Sequence, residues 1–408
     1  MFEIFILIFA GIGIGIVTGM TPGLHVNTIA VIGLSAYPYF SISPLDFAVV
    51  MSAMAITHTF LDFIPSIFLG VPEESTALSV LPAHRLFIEG RAMEAVKLTA
   101  YGSFFGLFFA LLLTVPVLII IPALYESARG VILWILIPAI IYLIIMEKTR
   151  DKISWAFAVF MLSGWFGLAA FNLKILSTME VLFPVFAGLF GLSNIAYSLY
   201  LKTAVVPQDE FADVKPTVNM ASYGFVGAVG GAIIGILPAM SPSQIGAIFT
   251  AGLGKVSNVN NVRNFLIILS AINTSDALFS ILSIYTINNA RSGVAEIMSS
   301  VVSFDINIVI FIVGVMAFTA LFVTYIHIRI GKRMIKIVEK LNYRNLCIIS
   351  FFMVVVLVFI FTGIVGVGIA LLGMCIGLVP IIAGISRTHL MGVLLVPTIL
   401  YFMGTIGI

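Results

Sequence analysis

The sequence predicts an all-α, polytopic membrane protein with about 10–14 hydrophobic helical segments in two inverted repeats with broken or re-entrant helices. Three observations carry that expectation. Of 408 residues, 61% are hydrophobic and 9% charged, whereas a soluble domain is about a quarter charged. Hydrophobic runs follow one another from end to end, at a mean hydropathy of +1.20, and many approach the roughly 20 residues that cross a bilayer. A glycine–proline pattern also recurs between the two halves. The alternation of a membrane barrel is missing, so helices must satisfy the backbone in lipid. The formal net charge of +2 gives no footprint for nucleic acid. Cys347 and Cys375 lie in apolar segments and read as buried thiols rather than a disulfide. The first segment, from Ile4, lacks a basic leader and reads as a retained helix rather than a signal peptide.

Hydrophobic segments are expected near 4–20, 24–40, 47–70, 98–122, 129–147, 153–171 and 177–201, then near 220–237, 242–256, 262–286, 303–326, 346–363, 366–383 and 388–406. The polar stretch 202–218, with Pro207, Asp209, Glu210, Asp213 and Pro216, divides an N-terminal repeat (1–201) from a C-terminal one (219–408). A shift of 216 residues places Gly11, Gly15, Gly19 and Pro22 on Gly227, Gly231, Gly235 and Pro238. The same shift sets Thr57 on Asn273 and Thr59 on Ser275. Charge argues the orientation. Loop 327–345 carries Arg329, Lys332, Arg333, Lys336, Lys340 and Arg344, and loop 148–152 carries Lys148, Arg150 and Lys152. Basic loops stay cytoplasmic. Both fall on one side only if the second half is inverted with respect to the first, an architecture common in secondary transporters.

Candidate chemistry sits at two repeat-equivalent motifs, Gly-Met-Thr-Pro-Gly-Leu-His (19–25) and Gly-Ile-Leu-Pro-Ala-Met-Ser (235–241). Pro22 and Pro238 remove backbone hydrogen bonds, and Gly23 tolerates unusual backbone angles. His25, Asn27 and Thr28 follow in one half; Ser241, Ser243 and Gln244 follow in the other. A helix restarting there aims free N–H groups and a positive dipole end at an anion. The bland alternative is a proline kink at a helix crossing; recurrence in both halves favours function.

The partner segments are polar at mid-length, with Thr57, His58, Thr59 and Asp62 in one half and Asn273, Thr274, Ser275 and Asp276 in the other. Ionisable groups at membrane depth are costly and mark functional sites by default. Thr57, His58, Asp62, Ser275 and Asp276 are therefore the candidate ion-coupling residues, for Na⁺ or H⁺, with a hydrogen-bonded structural pair as the alternative. Loop 71–97 reads as a solvated or interfacial amphipathic stretch. Arg387 and His389 read as interfacial. No phosphate-cradling loop, zinc-protease, paired-cysteine or serine-hydrolase motif occurs, so neither ATP-driven transport nor a metal or organic cofactor is expected. The repeat symmetry argues against an enzyme, with a membrane-embedded enzyme as the lesser alternative.

The Gly-rich helix leading into Pro22-Gly23-Leu24 resembles the Pro-Gly-Leu-Gly signature of the TctA-type large membrane subunit of tripartite tricarboxylate transporters. The motif at Pro238 resembles its second copy. The run Pro65–Pro72, then Gly90-Arg91-Ala92, Gly102–Gly106 and Asn288-Asn289-Ala290, is similar in order and spacing. His25, Glu73 and Ala239 depart from that pattern, so the substrate pocket need not match a citrate carrier's. The resemblance implies an ion-coupled transporter of a small organic anion in the cytoplasmic membrane. Its anion site would be Pro22, Gly23, His25, Asn27, Thr28, Pro238, Ser241, Ser243 and Gln244, with Asn288 and Asn289 nearby. An auxiliary subunit or binding protein is a further possibility that the resemblance raises. The Pro22-Gly23 to Thr28 spacing is also similar to that of membrane proteins translocating polyprenyl phosphates, so a lipid phosphate is the alternative substrate.

Overall fold

The computed structural model describes residues 2–22, 24, 26–39, 42–71, 76–77, 80–147, 149–173, 175–176, 178–200, 206–210, 212–236, 242–251, 259–288, 290–340 and 343–404. Among them, nine helical spans are long and apolar enough to cross a membrane, and no strand occurs. The chain is an all-α, polytopic membrane protein.

The first half opens with α1 (Phe2–Met20), the short α2 (Val26–Ala36), α3 (Pro44–Leu61) and α4 (Phe63–Phe68). Ser43 starts α3 with a capping box, its side chain accepting from Asp46 N while Asp46 accepts from Ser43 N. Pro65 has no N–H to offer the Leu61 carbonyl, and the α3–α4 helix is interrupted at Asp62. Then come α5 (Val80–Ile88), α6 (Ala92–Ile145), α7 (Arg150–Phe171), α8 (Thr178–Phe186), a π-helical turn (Ala187–Leu192) and α9 (Ser193–Tyr200). The second half runs through α10 (Val218–Ile236), α11 (Pro242–Ala251), α12 (Val259–Ile287), α13 (Gly293–Val301), α14 (Ile306–Val338) and α15 (Tyr343–Ala383). A 3₁₀ turn (Arg387–Met391) leads into α16 (Gly392–Phe402).

Several expected boundaries change. The segments expected at 98–122 and 129–147 belong to one helix, α6, of 54 residues. At 1.5 Å per residue that is about 80 Å, too long for one straight crossing. Pro116, Pro122 and Pro138 mark where it can bend. The segments at 346–363 and 366–383 join as α15, broken only at Gly363, whose φ of 62° suits glycine. Among the described residues, α2 and α11 run for 11 and 10 residues, short of a bilayer span. Much of the basic stretch 327–345 is helix, since α14 continues to Val338. Both cysteines are free, but Cys375 is exposed rather than buried.

Helix directions follow from the contacts. Built Cβ atoms on Gly11, Gly15 and Gly19 would strike Ala53, Thr57 and Leu61 in turn, so α1 and α3 run parallel and nearly touch. In the second half Gly227 meets Ala271 and Gly231 meets Ser275, so α10 and α12 do the same. Phe5 packs on Phe318 and Phe9 on Phe322, which sets α14 parallel to α1. Thr99 meets His327 and Val96 meets Gly331, so α6 opposes α14. Gly102 lies against Ile267 and Ser270 and Gly106 against Ala271, which aligns α6 with α12. It follows that α3 and α12 run in opposite directions. The halves also exchange partners: α6 packs on α10 and α12, while α14 packs on α1 and α3. This places α3 and α12 inside the bundle, with 94% and 89% of the residues in the most apolar stretch of each span buried. Large apolar side chains such as Ile119, Ile360 and Ile364 face outward, where lipid takes the place of water.

One end of the bundle is stitched by polar contacts. Glu94, nearly buried, is held by Arg91 of its own helix start and by Arg263 of α12. The stretch joining the halves docks there too. Gln208 accepts from Ala92 N and donates to the Phe87 carbonyl, and Lys97 Nζ donates to the Ala212 carbonyl at 2.6 Å. Nearby, α5 is less solvated than expected. Arg85 and Glu89 are exposed and paired, but Ala83, His84, Leu86 and Phe87 are buried. His84 Nδ1 donates to the Ile67 carbonyl at 2.8 Å, and burial lowers its pKa from 6.5 to about 4. The folded protein thus holds His84 neutral where the unfolded chain would protonate it. That contribution is complete above about pH 6.5 and is lost as pH falls toward 4. Unfolding temperatures measured from pH 7 to pH 4 should fall, and His84→Gln should flatten the decline relative to wild type.

Candidate functional site

The site grows from the end of α1. Helical hydrogen bonding ends after Thr21 N reaches the Val17 carbonyl, and Leu24 N bonds back to the Thr21 carbonyl across Pro22. The chain therefore leaves α1 at the buried Pro22 and restarts as α2 at Val26. In the second half α10 is described to Ile236 and α11 from Pro242, and the break expected at Pro238 lies outside the described residues. Gly23, His25, Pro238, Ser241 and Asn289 lie outside the described residues, as do the side chains of Thr28 and Gln244.

Beside the first break stands α3. The missing Cβ of Gly19 lets α1 approach the His58 carbonyl and Asp62 N, putting the end of α1 level with the polar turn of α3. Thr18 Oγ1 donates to the Gly15 carbonyl at 3.1 Å and lies 3.1 Å from His58 Nδ1. Thr18 thus ties His58 to the last turns of α1. One turn on, Asp62 is 2% exposed. Asn273 of α12 donates to Asp62 Oδ2 at 2.8 Å and to the Thr59 carbonyl at 3.3 Å. A carboxylate this deep needs donors, because burial without them costs several kcal/mol. Here a donor comes from the other half of the chain. Thr57 is buried as well, its hydroxyl turned back to the Ala53 carbonyl.

The second half is similar but not symmetric. Ser275 donates to the Ala271 carbonyl at 2.6 Å and touches the Gly227 carbonyl at 3.3 Å, so it lines the α10–α12 contact as Thr57 lines α1–α3. The packing therefore pairs Thr57 with Ser275, two residues beyond the ungapped sequence alignment. In that register Asp276 takes the place of His58, and Ser280 that of Asp62. Asp276 is half-buried, with Ser280 Oγ 3.4 Å from its Oδ1. Ser243, near the start of α11, is fully buried.

Asn27 reaches the other half. Its Oδ1 accepts from Val294 N at 3.1 Å, at the start of α13. Asn288, exposed with φ 47°, ends α12 in the left-handed region that asparagine tolerates. The structure thus brings together α1, α2, α3, α12 and the start of α13. Thr18 escaped the sequence reading because a lone threonine in a glycine-rich helix looks like packing; its place one turn from both Gly15 and the break was the usable signal. Asn273 was visible as a polar neighbour, but its partner lies 211 residues away. His327 is likewise buried, 3.2 Å from Thr99 Oγ1. Arg387 and His389 are enclosed by protein: each is 3% exposed, packed against the π-turn and the end of α6.

Removing the Asn273 amide leaves a buried carboxylate short of a donor. Asn273→Ala should cost about 1–3 kcal/mol of stability in detergent micelles. A cycle with Asp62→Asn should then show a coupling of about 1 kcal/mol or more, and purely additive effects would refute the link.

Residues 5–392 match the sequence profile of the tripartite tricarboxylate transporter TctA family. An uncharacterized protein of Methanocaldococcus jannaschii is 30% identical over 408 residues, covering 96% of this chain and 97% of that one. No solved structure matches. The glycine-lined α1–α3 and α10–α12 pairs, the break at Pro22 and the match over nearly the whole length agree: this chain is a multi-pass membrane protein of the tripartite tricarboxylate transporter TctA family.

Proposed function

We propose that the protein is an ion-coupled secondary transporter of a small carboxylate in the cytoplasmic membrane, working by alternating access between two inverted halves (1–201 and 219–408). The observation that carries this reading is the buried Asp62 carboxylate, held by Asn273 from the opposite half and level with the break in α1. A carboxylate shared between halves can take up a proton or a sodium ion and so bias how they pack. The broken ends at Pro22–Thr28 and Pro238–Gln244, with Asn288 and Asn289, are the proposed substrate contacts, since helix starts favour anions. His58 and Asp276, which occupy matching places in the packing, are proposed as the second, asymmetric part of the coupling site with Thr57 and Ser275. The antiparallel course of α3 and α12 and the exchange of α6 and α14 support the inversion. The family's tripartite character supports accessory subunits.

In proteoliposomes, citrate uptake should follow an imposed Na⁺ or H⁺ gradient. Asp62→Asn should cut gradient-driven accumulation by about 5–150-fold, the range of one site-to-site coupling, while insertion and folding persist. Asp276→Asn should weaken binding at least as much. Normal ion dependence in both variants would make these carboxylates structural.

Inversion has its own test. Single cysteines at Arg150 and Lys340, in a background without Cys347 and Cys375, should react with an impermeant thiol reagent from the same side of the membrane. Labelling from opposite sides would sink the inverted arrangement.

A further inference from the structure

The turn before α16 holds a buried cation that transport through the Asp62 cluster leaves unused. The Arg387 guanidinium donates through Nη2 to the Leu189 carbonyl at 2.7 Å, the Phe190 carbonyl at 2.9 Å and Ser193 Oγ at 2.7 Å. The Phe190 ring centre lies 5.2 Å from its Cζ. All of these partners are neutral. Nε and Nη1 are buried and have no acceptor among the described residues. Arginine cannot shed its proton as lysine or histidine can, so burial without a counter-charge is a standing cost.

The acid bound to this turn is engaged elsewhere. Glu147 Oε1 accepts from Ser386 N at 2.8 Å and lies 3.2 Å from His389 Nε2, so it grips the residues on either side of Arg387. Lys152 Nζ donates to the Gly384 carbonyl at 2.7 Å on the same turn. Arg150 and Asp151, both exposed at the start of α7, offset each other. Arg387 and Lys152 against Glu147 leave an excess of positive charge among the described residues.

We infer that Arg387, flanked by Ser193 and His389, is a binding site for a singly charged oxyanion group, a carboxylate or a phosphate, separate from the Asp62 cluster. The hydrogens on Nε and Nη1 remain to donate to it, and charge-assisted bonds of this kind are about twice as strong as neutral ones. The guanidinium also sits on a π-helical turn, a distortion that concentrates at functional sites. A free solute anion and the headgroup of an anionic lipid share this chemistry.

The test titrates the purified, delipidated full chain in detergent with citrate, with inorganic phosphate and with phosphatidylglycerol in mixed micelles, reading Tm. At least one probe should raise the wild-type Tm. Arg387→Gln, which removes the guanidinium, should lose that rise. A response to phosphatidylglycerol alone assigns a lipid headgroup; a response to citrate or phosphate assigns a soluble anion. Glu147→Gln removes a competing negative charge and should tighten probe binding by about tenfold. Asp62→Asn should keep the Arg387-dependent rise, which separates this site from the transport reading. Should Arg387→Gln fail to fold, Arg387→Lys keeps the charge without the planar fork and should bind the probe more weakly. A wild type unmoved by all three probes overturns the proposal. So does weaker binding in Glu147→Gln, which would make Glu147 the counter-charge.

Discussion

In lipid there is no water to satisfy a polar side chain, so each one must find its partner inside the protein. This constraint organises the molecule. The helices carrying hydroxyls, amides and carboxylates at mid-length, α3 and α12, are the ones most enclosed by the rest. Enclosing them requires neighbours that come very close. Glycines on α1 and α10 supply that approach, bringing backbone against backbone where any side chain would collide. The apolar exterior of α6 and α15 is the outer layer of the same arrangement. Polar groups are sealed in by helices whose outer faces are indistinguishable from lipid.

The partner exchange extends the argument to function. Because α6 of the first half covers α12 and α14 of the second covers α3, neither half can bury its polar helix alone. The buried apolar side chains form two clusters, and each draws on both halves. Contacts across such a boundary are few in chemical kind but well placed. Asn273 reaches Asp62 and the Thr59 carbonyl, and Asn27 reaches the start of α13. A change in the charge of Asp62 is therefore felt by the other half directly, through a bond of 2.8 Å.

Much of this was legible in the sequence, and what was not has identifiable causes. Composition and the spacing of Gly11, Gly15 and Gly19 announce a helical membrane protein with a close-packed first helix. Pro22 announces the break. The polar runs at 57–62 and 273–276 mark the buried helices. Side-chain pairing did not follow, since His58 finds Thr18 and Asp62 finds Asn273 through the crossing of helices rather than through spacing. The two-residue slip between Thr57 and Ser275 also needs the helix contact, because an ungapped alignment is blind to where one helix rests on another. Arg387 looked interfacial because a charged residue beside a hydrophobic segment usually is. Its burial depends on carbonyls of the π-turn, and nothing local in the sequence signals that turn.

The polar stretch that joins the halves is not a loose tether. It is pinned at Gln208, at Asp209 N on the Gly90 carbonyl and at Ala212 on Lys97, and it also meets the end of α14 through Glu339. Gly90, at φ 83°, has no side chain where Pro207 crosses. The corner between α5 and α6 is thereby lashed to the foot of α14, at one face of the bundle. Two elements from opposite halves are thus joined there. The short helix α2 is tied across the halves as well, through Asn27 to the start of α13. The connector is a pin that fastens the halves at one face of the bundle, not a spacer held apart from them.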